Sequence, residues 1–250
     1  MPEDLKSDSI VIIPTYNEKE NISNIVHAVM DLAHQFDILV IDDNSPDGTA
    51  SIVMELQNEF PGRVHLLQRA GKLGLGTAYI DGFKWALSNG YEYIFEMDAD
   101  FSHNPNDLIA LYTACSSQGA DMAIGSRYIT GVNVVNWPMG RVLMSYYASA
   151  YVRIVTGMPI RDTTAGFVCY RRKVLESINL DEIQFKGYAF QIEMKFRTYE
   201  SGFKIVEVPI IFVNRVLGTS KMDSHIFGEA VFGVIKLKID SWFGKSRKKS

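Results

Sequence analysis

The segment Ile94-Phe95-Glu96-Met97-Asp98-Ala99-Asp100 decides the fold, because it has the pattern of a buried strand that ends in two carboxylates. Alternate residues of a strand share a face, so the side chains of Asp98 and Asp100 point the same way where the apolar run stops. Two such carboxylates can bind a cation, and their hard oxygen ligands favour Mg²⁺ or Mn²⁺. The Asp-Ala-Asp tripeptide alone is equally compatible with a solvated loop that begins with two ordinary aspartates.

Strands and helices alternate around this segment. Mostly apolar segments at residues 10–13, 36–41 and 64–67 indicate strands, and each is followed by a stretch with helical periodicity. This alternation predicts an α/β fold with a Rossmann-like, mostly parallel sheet, helices on both faces and ligand chemistry at the carboxyl ends of the strands. Further along, residues 205–209 and 211–213 are predicted to form one bent edge strand.

The composition is that of an ordinary globular protein, with 47% hydrophobic and 22% charged residues among 250. A formal net charge of -4 argues against a dedicated nucleic-acid binder.

Cys115 and Cys169 have no paired spacing, so neither a disulfide nor a zinc site is predicted and a reduced cytoplasmic compartment is the simplest inference. Without a signal pattern or an apolar run of roughly 20 residues, the chain is not expected to cross a membrane by itself.

Two segments in the second half carry extended apolar surface. Residues 141–156 form a helix with few charges, which we predict to face the core, with lipid contact as the alternative. The last helix, residues 224–242, has a broad apolar stripe and is followed by the cations Lys245, Arg247, Lys248 and Lys249. This pattern is typical of a helix on an anionic membrane surface, although a helix packed on the domain with a solvated tail fits equally well. We therefore divide the chain into a main domain, residues 1–222, and an amphipathic helix with a basic tail, residues 223–250.

Several motifs are spread over residues 10–242. They are Pro14-Thr15-Tyr16-Asn17-Glu18, Asp42-Asp43-Asn44-Ser45-Pro46-Asp47-Gly48-Thr49, Asp98-Ala99-Asp100, Gly125-Ser126-Arg127-Tyr128, Asn136-Trp137-Pro138 with Arg141, Asp162-Thr163-Thr164-Ala165-Gly166-Phe167, and Arg215 with Gly218-Thr219-Ser220-Lys221-Met222. Together they resemble the family 2 glycosyltransferases of the GT-A fold, and within these the dolichol-phosphate mannose synthases. The first three motifs are shared by many family 2 transferases, whereas the later ones favour a polyprenyl phosphate acceptor.

The resemblance implies a nucleotide-sugar site at the strand ends. The residues that would hold the nucleobase and ribose are Pro14, Tyr16, Glu18, Ile41 and Asp43. A carboxylate at a strand end can accept hydrogen bonds from ring N–H or ribose hydroxyl groups. Asp98 and Ala99 would line the sugar nucleotide, and Asp100, with Asp98 beside it, would be the main protein ligand of Mg²⁺ or Mn²⁺. Ser102 stands where some relatives carry Gln as a second metal ligand, which leaves the rest of the coordination shell open.

The resemblance also implies phosphate-binding roles for four cations. Arg127 and Arg141 match positions that grip the acceptor phosphate, and Arg215 with Lys221 matches the pair that gathers the donor diphosphate. Arginine suits bidentate contact with phosphate, and lysine contributes a compact charge on a mobile arm. Membership of a structural ion pair is the alternative role for each arginine.

The enzyme implied by the resemblance is an inverting, metal-dependent glycosyltransferase that moves mannose from GDP-mannose to a polyprenyl phosphate. Many family 2 enzymes with hydroxyl acceptors carry an Asp base in a Glu-Asp pair, which the segment Gly187-Tyr188-Ala189-Phe190-Gln191-Ile192-Glu193 lacks. A phosphate monoester already carries about -1.5 to -2 charges at neutral pH and needs no base. The missing pair therefore favours a phosphate acceptor. One-step attack by that phosphate on an α-linked donor would invert the anomeric centre and give a β-linked product.

Several alternatives stay open. The donor could be UDP-glucose or another UDP-hexose, and the acceptor could be a hydroxyl group. A catalytically idle nucleotide-sugar-binding subunit and a nucleotidyltransferase are the other possibilities. The expected partners are GDP-mannose, a polyprenyl phosphate and the cytoplasmic face of a membrane, reached directly or through a small membrane subunit, with no nucleic acid.

Overall fold

A seven-stranded sheet forms the centre of the computed structural model, which describes residues 7–187, 189–214 and 232–241. The strands run in the spatial order β3-β2-β1-β4-β7-β5-β8, and β6 and β9 form a separate two-stranded sheet. The strand bounds are β1 (Ser9–Thr15), β2 (Asp37–Asp42), β3 (Val64–Gln68), β4 (Tyr93–Glu96), β5 (Met122–Ser126), β6 (Val134–Val135), β7 (Val168–Arg171), β8 (Ile205–Pro209) and β9 (Phe212–Val213).

Helices cover both faces of the sheet. Their bounds are α1 (Ile22–Met30), α2 (Thr49–Glu59), α3 (Leu75–Ser88), α4 (Asp107–Ser116), α5 (Met139–Thr156), α6 (Arg172–Ser177) and α7 (Ala189–Glu200), with a short 3-10 helix at Leu180–Glu182. Residues 232–241 are also helical. The alternation of strand residues explains this arrangement, since Ile10 and Ile12 of β1 pack towards α3 and α7 whereas Val11 and Ile13 pack towards α1, α2 and α4.

The prediction of a mostly parallel sheet is confirmed. β1 pairs in parallel with both β2 and β4, and β7 is the antiparallel strand between β4 and β5. Because the chain leaves β1 towards β2 and later returns to β4 on its other side, the strand order reverses between β1 and β4. In open α/β sheets, ligands bind outside the carboxyl ends of the strands at such a switch point.

The predicted bent edge strand is in fact divided between two sheets. Residues 205–209 form β8 at the edge of the main sheet, whereas residues 212–213 form β9, which pairs with β6. The Ile210 amide still donates to Ser126 O and closes the ladder between β5 and β8, whereas the Phe212 amide donates to Asn133 O at the start of the pairing with β6.

The prediction that the helix at residues 141–156 faces the core is wrong for most of its length. Only three residues of α5 are buried, namely Ser149, Val152 and Thr156. The large apolar side chains that stay exposed include Met139, Leu143, Tyr147 and Ile154, which is 83% exposed. The helix therefore rests on the domain along a narrow seam.

Candidate active site

A cavity of about 810 Å³ lies at the switch point of the sheet. It is walled by the loops that follow β1, β4 and β5, together with α3, α5 and α7. The predicted site residues that line it are Pro14, Tyr16, Glu18, Asp43, Asp98, Ala99, Asp100, Arg127 and Arg141. The donor and acceptor positions that were predicted separately from the sequence therefore share one cavity.

Of the predicted site residues that the structure describes, Ile41 does not line the cavity. Ile41 is fully buried, and its Cδ1 would lie 2.8 Å from a Cβ atom added to Gly82, so its side chain packs beneath α3. The structure thus does not bring the Ile41 side chain to a nucleotide pocket. Arg215 and Lys221 lie outside the described residues, and their roles stay predictions.

The two carboxylates of the Asp-Ala-Asp motif lie on a tight turn after β4. Phe101 adopts a left-handed conformation with φ of 58°, and the Ser102 amide donates to Asp100 Oδ1 over 3.0 Å. The Asp98 amide approaches His103 Nδ1 at 3.5 Å. Burial lowers the pKa of His103 to about 4, so this ring is neutral at physiological pH and can accept the contact.

The carboxylate pair fits a divalent cation that shares its ligands with a substrate. Within residues 7–187, 189–214 and 232–241, no cluster of three His, Cys, Asp or Glu side chains could hold a metal by itself. Mg²⁺ characteristically uses one or two carboxylates and takes its other ligands from phosphates and water. The Ser102 hydroxyl, which also lines the cavity, is buried without a hydrogen-bond partner and could orient one such ligand.

A second acidic residue, Asp43, lines the cavity near the end of β2. Asp43 Oδ1 accepts a hydrogen bond of 2.6 Å from Arg69 Nε, and the Arg69 side chain is only 5% exposed. Lys72 Nζ lies 5.2 Å from the centre of the Tyr16 ring. Arg69 and Lys72 were not predicted as site residues, since the glycine-rich segment around Lys72 matches no nucleotide-binding motif.

Arg127 is both a wall of the cavity and a member of a buried ion pair. Its Nε and Nη2 atoms donate to the two carboxylate oxygens of Asp162 over 2.7 and 2.6 Å. Arg141, on α5, has its guanidinium 4.0 Å from the centre of the Trp137 ring, and the Arg127 guanidinium lies 5.4 Å from the same ring. Trp137 thus sits between two cations at the end of the cavity opposite Asp43.

The start of α7 supplies a buried polar network rather than a base. Gln191 lines the cavity, and its Nε2 donates to Glu96 over 2.5 Å while its Oε1 accepts from Lys195 over 3.2 Å. Burial raises the pKa of Glu96 to about 7 and lowers that of Lys195 to about 8. Glu193 pairs with Arg197 instead of reaching the cavity. The described carboxylates that line the cavity are Glu18, Asp43, Asp98 and Asp100.

This fold and site define a class, the GT-A-like glycosyltransferases. Structures of glucosyl-3-phosphoglycerate synthase from Mycobacterium tuberculosis align with TM-scores up to 0.66 at 15–17% identity over 93% of this chain and 79% of theirs. The model of glycosyl transferase family 2 matches residues 10–178, and the chain belongs to that family.

Two relatives are much more similar in sequence. Polyprenol monophosphomannose synthase of Mycolicibacterium smegmatis is 48% identical over 96% of this chain and 90% of its own. Undecaprenyl-phosphate mannosyltransferase of Micrococcus luteus is 48% identical over 91% and 92%. A mannosyltransferase from Pyrobaculum calidifontis, solved with GDP-Man and Mn²⁺, aligns with a TM-score of 0.57 at 18% identity over 90% of this chain and 60% of its own.

Proposed function

We propose that this protein is an inverting glycosyltransferase that moves mannose from GDP-mannose to a polyprenyl phosphate. The observation that carries the proposal is the 48% identity, over more than nine tenths of this chain, to two enzymes named for polyprenyl-phosphate mannose transfer. The cavity supports it, because one space joins the carboxylates expected at the donor to the arginines expected at the acceptor.

The donor would lie along the ends of β1 and β4. Tyr16, Glu18 and Asp43, which line the cavity, would contact the base and ribose, and Asp98 and Asp100 would hold Mg²⁺ or Mn²⁺ against the diphosphate. The metal would neutralise charge on the leaving nucleoside diphosphate. Arg215 and Lys221 are proposed to contribute further positive charge there, where one well-placed charged donor is typically worth ~3 kcal/mol of barrier.

The acceptor phosphate would bind between Arg127 and Arg141. Asp162 holds the Arg127 guanidinium in a fixed orientation, and Trp137 stacks against that of Arg141. A phosphate oxygen would attack the anomeric carbon as the bond to the GDP oxygen breaks, which inverts an α-linked donor to a β-linked product. No proton has to be removed from a phosphate dianion, which agrees with the absence of an α7 carboxylate from the described cavity lining.

A long-chain acceptor also requires contact with a membrane. Over the described residues, no helix is both long and apolar enough to span a bilayer. We propose that the exposed apolar side of α5 and of residues 232–241 rests on the cytoplasmic face of the membrane, directly or beside a small membrane subunit. The two elements are adjacent, because Lys238 Nζ donates to Thr156 O over 2.9 Å. Phe232, Ile235 and Ile239 remain at least 41% exposed on the second element.

A competition between two donors tests the proposal. Purified protein in detergent with Mn²⁺ and a short polyprenyl phosphate is offered labelled GDP-mannose and UDP-glucose, and the label in the lipid phase is counted. We expect mannose transfer that disappears in Asp100→Ala and persists in Asp181→Ala, a control that removes an exposed carboxylate. Transfer of glucose alone would show that UDP-glucose is the donor instead of GDP-mannose. Mannose transfer that persists in Asp100→Ala would refute the proposed metal site.

A further inference from the structure

The hydroxyl group of Tyr79 is a buried polar group on the cavity wall with no hydrogen-bond partner. Tyr79 belongs to α3, its side chain is 0% exposed, and it lines the cavity. Its Oη atom forms no hydrogen bond. Leaving a buried hydroxyl unpaired costs stability, so its presence here calls for a function in the ligand-bound state.

The ring of Tyr79 is held firmly in place. It stacks on Phe190 with a centroid separation of 5.9 Å and an interplanar angle of 7°, and it also stacks on Phe83. The start of α3 is locked against the same region, since the Gly76 amide donates to Lys186 O over 2.8 Å. A Cβ atom on Gly76 would lie 2.9 Å from Phe190, so the two segments are in close contact. The Tyr79 hydroxyl therefore cannot swing away to another partner.

Asp98 and Asp100 line the same cavity as Tyr79, and neither accepts a hydrogen bond from its hydroxyl. Burial, followed by the charges of Asp98, Glu96 and Asp100, raises the pKa of Tyr79 well above its usual value, so the hydroxyl stays protonated and acts as a donor. The nearby amide of Gln191 is already bonded to Glu96 and Lys195. A ligand group that contacts this hydroxyl must accept a hydrogen bond from it, and a group that can also donate is able to pair with a carboxylate of the same cavity, such as Asp98. A sugar hydroxyl does both.

We propose that Tyr79 Oη donates a hydrogen bond to a hydroxyl group of the donor hexose, which donates in turn to the Asp98 carboxylate. Tyr79 is then a sugar-binding residue that contributes to the choice of hexose. This inference rests on the proposed function, in which a nucleotide sugar occupies the cavity.

The test compares two buried tyrosines. Tyr79→Phe is set against Tyr91→Phe, because the Tyr91 hydroxyl is also buried but donates to Asp37 over 2.8 Å and is not among the cavity residues. Dissociation constants for GDP-mannose and GDP, with Mn²⁺, are measured by calorimetry, and thermal unfolding is followed in parallel. Tyr79→Phe should weaken GDP-mannose binding roughly 5- to 30-fold, leave GDP binding unchanged and not lower the melting temperature. Tyr91→Phe should lower the melting temperature and leave both constants unchanged.

Analogues of GDP-mannose that each lack one sugar hydroxyl identify the contact. The analogue without the contacted hydroxyl should bind wild type and Tyr79→Phe equally, as expected when both halves of one hydrogen bond are removed. If Tyr79→Phe weakens the binding of GDP and of GDP-mannose equally, or weakens the binding of neither, the inference is overturned while the proposed function stands. If wild type binds UDP-glucose instead, the proposed donor fails, and the same comparison with UDP-glucose and UDP decides the role of Tyr79. Wild type that binds neither sugar nucleotide would refute the proposed function and this inference together.

Discussion

Arg127 and Arg141 line the same cavity in very different surroundings. Arg127 is buried and forms a bidentate pair with Asp162, which is itself 0% exposed. Arg141 is only partly buried, stacks on Trp137 and donates to Asn214 over 3.2 Å. Removing Arg127 leaves a buried carboxylate without its partner. Removing the half-buried Arg141 deletes a stacking contact and a hydrogen bond to a neutral amide. The two arginines should therefore differ in what their loss does to the fold.

Arg127→Ala should lower the free energy of unfolding by about 3–5 kcal/mol, because it strands the Asp162 carboxylate. Arg141→Ala should change it by less than about 1 kcal/mol and raise the KM for the polyprenyl phosphate about 10- to 100-fold, as expected for a lost charged hydrogen bond. Urea unfolding and steady-state kinetics measure the two effects. If the KM of Arg141→Ala for the acceptor is unchanged, Arg141 does not bind the acceptor phosphate.

The Arg127–Asp162 pair also predicts a pH dependence of stability. Burial alone would raise the pKa of Asp162, but the charge and hydrogen bonds of Arg127 outweigh it and hold that pKa below 3.8. Since the folded state then binds fewer protons than the unfolded state, the stabilisation is complete above this value and is lost as the pH falls through the folded pKa. Asp162→Asn should be less stable than wild type by a constant amount above about pH 5, and the difference should shrink below pH 3.8. Urea unfolding from pH 7 to pH 3 measures it, and a constant difference over the whole range would contradict this assignment.

At the residue scale, sequence motifs identified charged residues that follow directly on apolar segments. Asp98 and Asp100 end an apolar strand, so their exposure to a ligand could be predicted. Tyr79 could not be found in this way, because it occupies an apolar position of an amphipathic helix, where a tyrosine is an ordinary core residue. Only its unpaired hydroxyl, visible in the structure, separates it from Phe83 one turn later.

At the scale of elements, α5 is the main departure from the sequence-based expectation. Its positions 139, 143, 147 and 154 fall within about 80° of arc at 100° per residue, so they form one stripe. The stripe consists of exposed Met139, Leu143, Tyr147 and Ile154, while the buried Val152 lies on the opposite side. Helical periodicity shows that a stripe exists but not what it faces. Tyr147 at the edge of the stripe also lines the cavity, whereas Met139, Leu143 and Ile154 do not. Exposed apolar side chains of this kind are what a helix on a membrane surface requires.

Two charges placed on this stripe should release the protein from membranes. Leu143→Glu with Ile154→Glu should reduce co-sedimentation with anionic liposomes at least about 10-fold, since each change puts a charge where an exposed apolar side chain would otherwise enter the membrane. Turnover of a short, detergent-soluble polyprenyl phosphate should be kept. Met54→Glu, at an exposed position of α2, is the matched control and should bind liposomes like wild type. Unchanged binding by the double variant would assign membrane contact to other parts of the chain.

The direction of β7 is a second property of the elements that the sequence pattern did not predict. Residues 167–170 are a buried apolar run, and such a run looks the same in a parallel and an antiparallel strand. Its neighbours decide the direction, because β7 enters the sheet between β4 and β5 from the side of the cavity. This reversal places Asp162, Thr164 and Ala165, which precede the strand, next to Arg127 and α7.

At the scale of the whole molecule, the alternation of strands and helices sufficed to predict the sheet and the edge at which ligands bind. The order of the strands and the shape of the cavity depend on contacts between distant segments, which periodicity does not encode. The cavity extends from Asp43 past Asp98 to Arg141 on α5, and it therefore connects the proposed nucleotide site to the helix proposed to lie on the membrane. An acceptor phosphate could enter from the membrane side while its polyprenyl chain stays in the bilayer.

The most direct measurement is transfer of labelled mannose from GDP-mannose to a short polyprenyl phosphate and, in parallel, to the same polyprenol without its phosphate. The described cavity lining offers arginines for a phosphate but no carboxylate from α7 to activate a hydroxyl group. We therefore predict transfer to the phosphate alone, with a β-linked product by NMR of the anomeric carbon. Transfer to the free polyprenol, or an α-linked product, would contradict the account.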